Sequence, residues 1–225
     1  MHPTASVGLV AAFVVVVVGV VGVVIAAVSH VNAAWRLRAV LAAGVWLAAN
    51  AAVGFSGVLL RFDARPPPFV VVLLLSVGVA VVVAVSDVGA ALARLPLWLL
   101  VGFQAFRLPL ELVMHEAARE GVMPAVMSFE GKNVDIVAGI AAIVVAISLQ
   151  RGARPVWAGA WLTLASATLL NVVVIAVLAS PLVRFFGDAE LNIWIAYAPF
   201  VWLPTVLVAS ALSGQIILAR ALLQR

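Results

Sequence analysis

Long apolar runs separated by short polar clusters dominate the chain from its first residues to its last. A helix that crosses a bilayer needs about 20 predominantly apolar residues. On that template the pattern predicts an all-α, polytopic integral membrane bundle of about seven transmembrane helices. They fall near 7–29, 39–60, 68–86, 95–115, 134–150, 156–179 and 192–219, within a single domain of residues 1–225. The separators carry turn chemistry, as in Arg61-Phe-Asp63-Ala-Arg65-Pro66-Pro67-Pro68 and Gln150-Arg151-Gly-Ala-Arg154-Pro155. Most are short, so consecutive helices are expected as antiparallel neighbours. The third and fifth spans are short for a bilayer, and Pro199 and Pro204 predict a kink or break in the last one. The apolar run from Val7 to Val28 exceeds the 7–15 residues of a signal-peptide core and has no basic residue ahead of it. It is expected to stay as the first span.

Polar positions divide the spans. The first, with its run Val14–Val18, and the third are apolar on all sides and are expected at the lipid-facing periphery. Asn50 in the second span, Gln104, Arg107, Glu111 and His115 in the fourth, Thr163, Ser166, Thr168 and Asn171 in the sixth, and Tyr197, Thr205, Ser210 and Gln215 in the seventh predict that those four helices line the interior. Trp46, Trp161 and Trp202 lie deep in their spans and are read as packing residues.

Composition sharpens this picture. Of 225 residues, 66% are hydrophobic and 10% charged, against about 25% charged in globular domains. Lipid must therefore solvate most of the surface. A net charge of +4 does not point to nucleic acid, because the basic residues are spread one or two per loop. They act instead as topology signals. Loops on the side of the N-terminus hold Arg61, Arg65, Arg119, Lys132 and Arg184; the opposite side holds Arg36, Arg38, Arg94, Arg151, Arg154, Arg220 and Arg225. The excess predicts an external N-terminus and a cytoplasmic C-terminus. Lys132 is the only lysine, and the preference for Arg, Val and Ala suits a GC-rich bacterial genome. Cysteine is absent, which excludes disulfides and thiolate chemistry.

The candidate chemistry sits in the fourth span. Arg107, Glu111 and His115 recur at four-residue spacing and so form a stripe along one helix face, with Gln104 a turn below. Charged groups at the centre of a span cost roughly 2.5–3.5 kcal/mol each on insertion scales, so they face the interior and mark either a functional path or a polar lock. Arg107 and Glu111 have the spacing of an ion pair, and Pro109 between them leaves the Ala105 carbonyl without its helical donor, which the guanidinium or a water can satisfy. Beyond Gly121, the segment Val122–Phe129 is too short to span and reads as interfacial or re-entrant. Asn133 is placed to cap the fifth span, with Asp135 in its first turn. The short loop brings that cap back toward the stripe, so Glu111, His115, Asn133 and Asp135 are expected to converge on one pocket.

Phe106-Arg107-x-Pro109-x-Glu111-x-x-x-His115, followed by Pro124-x-x-Met127-x-Phe129-Glu130-Gly131-x-Asn133-x-Asp135-Ile136, resembles the pattern of an uncharacterised group of bacterial multipass membrane proteins. The resemblance covers residues 106–136. It implies that this stretch acts as a unit in a bacterial plasma (inner) membrane, and it implies no reaction.

Each candidate has a structural and a functional reading. Arg107 with Glu111 is either an ion pair locking the bundle or the anion-facing part of a ligand site that includes Gln104, Asn133 and Asp135. His115 is a satisfied polar residue, an acid/base group paired with Glu111, or a metal ligand. Metal is disfavoured because only one histidine is near. Asn133 and Asp135 serve as helix caps or as site residues. No cofactor is identified. A retinal lysine, a phosphate-binding glycine loop, a bis-histidine haem site and a multi-histidine zinc centre all lack their residues. Ser56, Ser166, Ser210 and Ser213 sit in no nucleophile motif. The leading reading is a site that takes a small polar or anionic-headed ligand from the outer side, in proton-coupled transport or sensing. An enzyme acting on a lipid or isoprenoid-like substrate, and a non-catalytic scaffold or accessory subunit, are the alternatives. The bilayer is the certain partner, and the pattern leaves the oligomeric state open.

Overall fold

The computed structural model describes residues 5–224, and all regular structure among them is helical. The order is α1 (Val7–Val31), α2 (Arg36–Phe55), α3 (Pro68–Val85), the short α4 (Asp87–Leu92), α5 (Leu97–Phe103), α6 (Arg107–Arg119), α7 (Asp135–Gln150), α8 (Val156–Leu178) and α9 (Ala209–Leu223). Six rods are long and apolar enough to cross a membrane: α1, α2 with its leading turn, α3, α5 continuing into α6, α8, and Leu203–Leu223. The length and composition are those of a multipass membrane protein.

The expected seventh member, α7, has only 16 residues, or about 24 Å of rise against a hydrocarbon core of about 30 Å. Val122 and Met123 donate their N–H groups to the Ala117 carbonyl, and Val122, Met123, Met127, Ser128 and Asn133 are all buried. The loop thus folds inward against the helices before α7 begins.

The last predicted span, 192–219, is not one helix. Residues 191–202 are irregular apart from a 3₁₀ turn at Trp194–Ala196, a π-helical turn covers Leu203–Val208, and α9 follows. Pro199 and Pro204 withhold two N–H donors, and the backbone re-forms its ladder in looser and tighter turns. The second span also shifts, from the expected 39–60 to Ala33–Phe55, because Gly57 takes a left-handed conformation (φ 73°) that ends the helix.

The expected division between lining and peripheral helices needs correction. Of α2 only Asn50 and Gly54 are buried, making it the most exposed rod, whereas the apolar α1 buries Leu9, Phe13 and Val17 against Leu110 and Met114 of α6. Asn50 itself does face the interior, 6% exposed, and its Nδ2 donates to the Trp46 carbonyl in the same helix at 2.8 Å, but the rest of that helix does not follow it inward. The deep indoles do pack, and each ties two segments together. Trp46 donates to the Thr205 carbonyl, Trp202 to that of Leu47 and Trp161 to that of Ala138, at 3.0–3.1 Å.

At one end of the bundle Ser6, the N-cap of α1, is held by the Glu120 carboxylate just past α6. Ser6 N donates to Oε2 at 2.8 Å and its hydroxyl to Oε1 at 2.5 Å. These donors hold the Glu120 carboxyl below its usual range. A lowered folded value means the interaction contributes above the unfolded pKa of about 4.3 and disappears as pH falls through the folded value. Amide protection in the first turn of α1 is therefore expected to hold at neutral pH and to fall only in acid below the usual carboxylate range. Glu120→Gln should show the weaker protection already at neutral pH. Equal protection factors in the two proteins at pH 7 would show that this interaction does not hold the turn.

A buried charge cluster beneath a polar vestibule

Pro109 shapes the start of the site. It has no N–H for the Ala105 carbonyl, so α5 does not run straight into α6. A 3₁₀ turn at Gln104–Phe106 intervenes, and the Arg107 N–H closes on the Gln104 and Ala105 carbonyls. α7 crosses α6 closely there, because Gly139 has no side chain: a Cβ on it would stand 2.5 Å from the Leu108 nitrogen and 3.1 Å from the Arg107 carbonyl carbon. That approach brings the first residue of α7 against the first residue of α6.

The guanidinium is 1% exposed, and its Nε lies 2.9 Å from Asp135 Oδ2. Its Nη1 and Nη2 donate to the Ala165 carbonyl of α8 at 3.3 and 3.4 Å. The expected Arg107–Glu111 ion pair is therefore replaced by Arg107–Asp135, and the guanidinium serves Ala165 rather than Ala105. Two physical reasons account for this. An acid four residues C-terminal to its base is the weaker orientation on a helix, and the close crossing at Gly139 presents Asp135 head-on.

Glu111, also 1% exposed, takes its hydrogen bonds from an amide instead. Asn133 Nδ2 lies 2.9 Å from each carboxylate oxygen and 3.1 Å from the Met127 carbonyl. Asn133 Oδ1 accepts the Asp135 N–H at 2.9 Å, at the start of α7, although the residue formally preceding that helix is Val134. Asn133 is thus a cap and a site residue at once: one end of its amide orders α7, and the other holds the acid of α6.

Gln104 lies fully buried a turn deeper, donating from Nε2 to the Ala211 carbonyl of α9 at 3.2 Å. His115 lies the other way. Its ring stacks on Phe129 with centroids 4.5 Å apart, and its Nε2 is 3.8 Å from Glu130 Oε1. The single expected pocket is two spaces. A cavity of about 30 Å³ is bounded by Arg107, Glu111, Asp135 and apolar side chains of α8, the π-turn and α9. A vestibule of about 590 Å³ opens at His115 and is lined also by Arg119, Ser128, Glu130, Lys132, Phe186 and Glu190. Arg107 faces the first and has no part in the second.

The Ala165 carbonyl was not foreseen. It accepts from Arg107, from Gln215 Nε2 at 3.1 Å and from the Thr168 hydroxyl at 3.2 Å, so four donor atoms on three helices meet on one oxygen. Thr168, three residues on, was the legible hint, since a helical Thr often bonds back to such a carbonyl. Among the described residues no group of three or more His, Asp or Glu side chains gathers to hold a metal ion.

Comparison of the chain with protein-family models, with curated proteins and with solved structures gives no match.

Proposed function

We propose that the chain is a multipass plasma-membrane protein, with its N-terminus outside, that takes a small anionic-headed ligand into the vestibule and couples its occupancy to the protonation of the charge cluster beneath. One observation carries the reading: two spaces lie along one helix, a turn apart, the inner one mostly apolar but bordered by the charged cluster, with Glu111 facing it and His115 facing the outer one. Lys132, rather than Arg107, supplies the charge for the ligand. Arg119 is occupied by Glu116 at 3.2 Å and Glu190 by the Val126 N–H at 3.0 Å, whereas Lys132 makes no ion pair among the described residues. The inner cavity is too small for anything but water or a proton. Transport and sensing both fit this division of labour.

Native mass spectrometry of the gently purified protein tests it. Wild type is expected to retain an anionic small molecule or lipid that Lys132→Glu and His115→Gln release. Equal retention by wild type and both variants would refute the vestibule as the binding site.

The His115–Glu130 pair favours a second reading, an enzyme acting on a lipid or isoprenoid-like substrate with His115 as general acid/base. In that case the orienting acid is Glu130 rather than Asp135 or Glu111. A pH–rate profile would then lose one limb in His115→Gln.

A further inference from the structure

The inner cluster holds one cation and two carboxylates, and all three groups are at least nine-tenths buried. Two ionised acids against one base would leave a net negative charge in a low-dielectric interior, which such sites avoid by keeping a proton. The partners indicate which acid keeps it. Asp135 touches the guanidinium, whereas Glu111 touches only the neutral Asn133 amide. A second observation concerns the space between them. Asp135 Oδ1 is buried without a well-formed hydrogen bond: the neighbouring Thr168 hydroxyl is its one nearby side-chain donor besides Arg107, and that single hydrogen is shared with the Ala165 carbonyl at 3.2 Å. Both carboxylates and the guanidinium border the cavity of about 30 Å³. That is room for a water or two with polar partners at hand. The third wall is the π-helical turn, through Leu203, Leu207 and Val208, a backbone form found often at functional sites.

We infer that this cavity is a hydration site through which one proton moves between Glu111 and Asp135, and that the move exchanges the counter-ion of Arg107. This rests on the proton-coupled reading above and gives it a mechanism. In the step, the Glu111 carboxylic acid gives its proton to the cavity water, and the water gives one of its own to Asp135 Oδ1. Glu111 becomes the carboxylate, Asp135 the acid, the water is regenerated and the net charge of the cluster stays zero. The guanidinium then has its ionic partner four residues along its own helix instead of across on α7. With the proton on Glu111, α6 is tied to α7; with it on Asp135, that tie is released. Asn133, which donates to Glu111 and to the Met127 carbonyl, belongs with Met127 to the inward-folded loop that continues into the vestibule wall at Ser128, Glu130 and Lys132. The charged or titratable groups that face the acids are Arg107 on α6 and each acid itself; α8 and the π-turn contribute only Thr168 and apolar side chains.

Infrared difference spectroscopy of the whole protein in lipid nanodiscs at neutral pH tests this. Wild type should show a protonated carboxylic-acid C=O band that shifts in D₂O and disappears in the near-isosteric Glu111→Gln. Filling the cavity with Ala211→Val, or with the milder Val172→Ile, should move the band to higher frequency and slow its deuterium exchange several-fold. Absence of the band in wild type, or its survival in Glu111→Gln, overturns the proton assignment. An unmoved band with unchanged exchange in both filling variants overturns the water relay. None of these outcomes depends on ligand retention in the vestibule, so failure here and failure of the binding reading are told apart.

Discussion

A chain carrying Glu111→Gln and Asp135→Asn together is expected to lose about 3–5 kcal/mol of stability, and the two single changes should cost clearly less than that in sum. The double variant leaves the Arg107 guanidinium 1% exposed with no carboxylate beside it, the condition that makes breaking a buried pair expensive. Each single variant retains one acid. In Glu111→Gln the Asp135 ion pair at 2.9 Å is untouched and the Asn133 amide still has an oxygen to bond, so a loss below about 1 kcal/mol is expected. In Asp135→Asn the tie between α6 and α7 goes, but Glu111 remains at the spacing of an intrahelical partner. The resulting non-additivity, read from unfolding in mixed detergent and dodecyl-sulfate micelles, measures how far Arg107 can change partners. Additive single effects would show that it cannot. Adding Arg107→Met to the double variant should recover most of the loss, because an apolar group of similar volume leaves no uncompensated charge. That recovery would also assign the cluster its structural share: it locks α6, α7 and α8 whatever else it does.

Gly139→Val is expected to have the second-largest effect, about 1–3 kcal/mol or more, although the residue carries no polar group of its own. Any Cβ there meets the backbone of Leu108 and Arg107, which cannot rotate away as a flexible side-chain end can. α7 must move outward, and the Arg107–Asp135 ion pair, made at the same crossing, is the first interaction to break. Gly159→Ala on α8 is the matched control, since a Cβ there has no heavy atom within 4 Å. It should be neutral or slightly stabilising, because alanine favours the helix. Equal behaviour of the two variants in the same unfolding assay would mean that α6 and α7 do not cross tightly.

Much of the architecture could be read along the chain because the signal for a crossing helix is local. An apolar run such as Val7–Val31 or Val156–Leu178 has to be helical in lipid, where backbone groups find partners only within the segment. The ends were legible where a Pro or Gly acts on its own neighbours, as at Pro68 and Gly121. Trouble came where a span depends on what surrounds it. The pattern could not show that 120–134 folds inward and shortens α7, because that outcome turns on burial against other segments, whereas the break in the last span was legible at Pro199 and Pro204 and only its extent, back to residue 191, was not.

The pattern along the chain shows which residues gather: Arg107 and Glu111 are charged groups inside an apolar run, and Asn133 and Asp135 stand where the next run begins, so lipid excludes them and they meet inside. It could not determine the pairing, since four-residue spacing offers Arg107 to Glu111 while only the crossing at Gly139 brings Asp135 nearer. The tertiary structure also decided that His115 belongs to a separate outer space, that Gln104 serves α9, and that a backbone carbonyl at Ala165 is the common acceptor of three helices. The reason is the same in each case. Periodicity reports which face of a helix avoids lipid, whereas the partner on that face is set by how closely two backbones approach, which depends on residues far away in the chain.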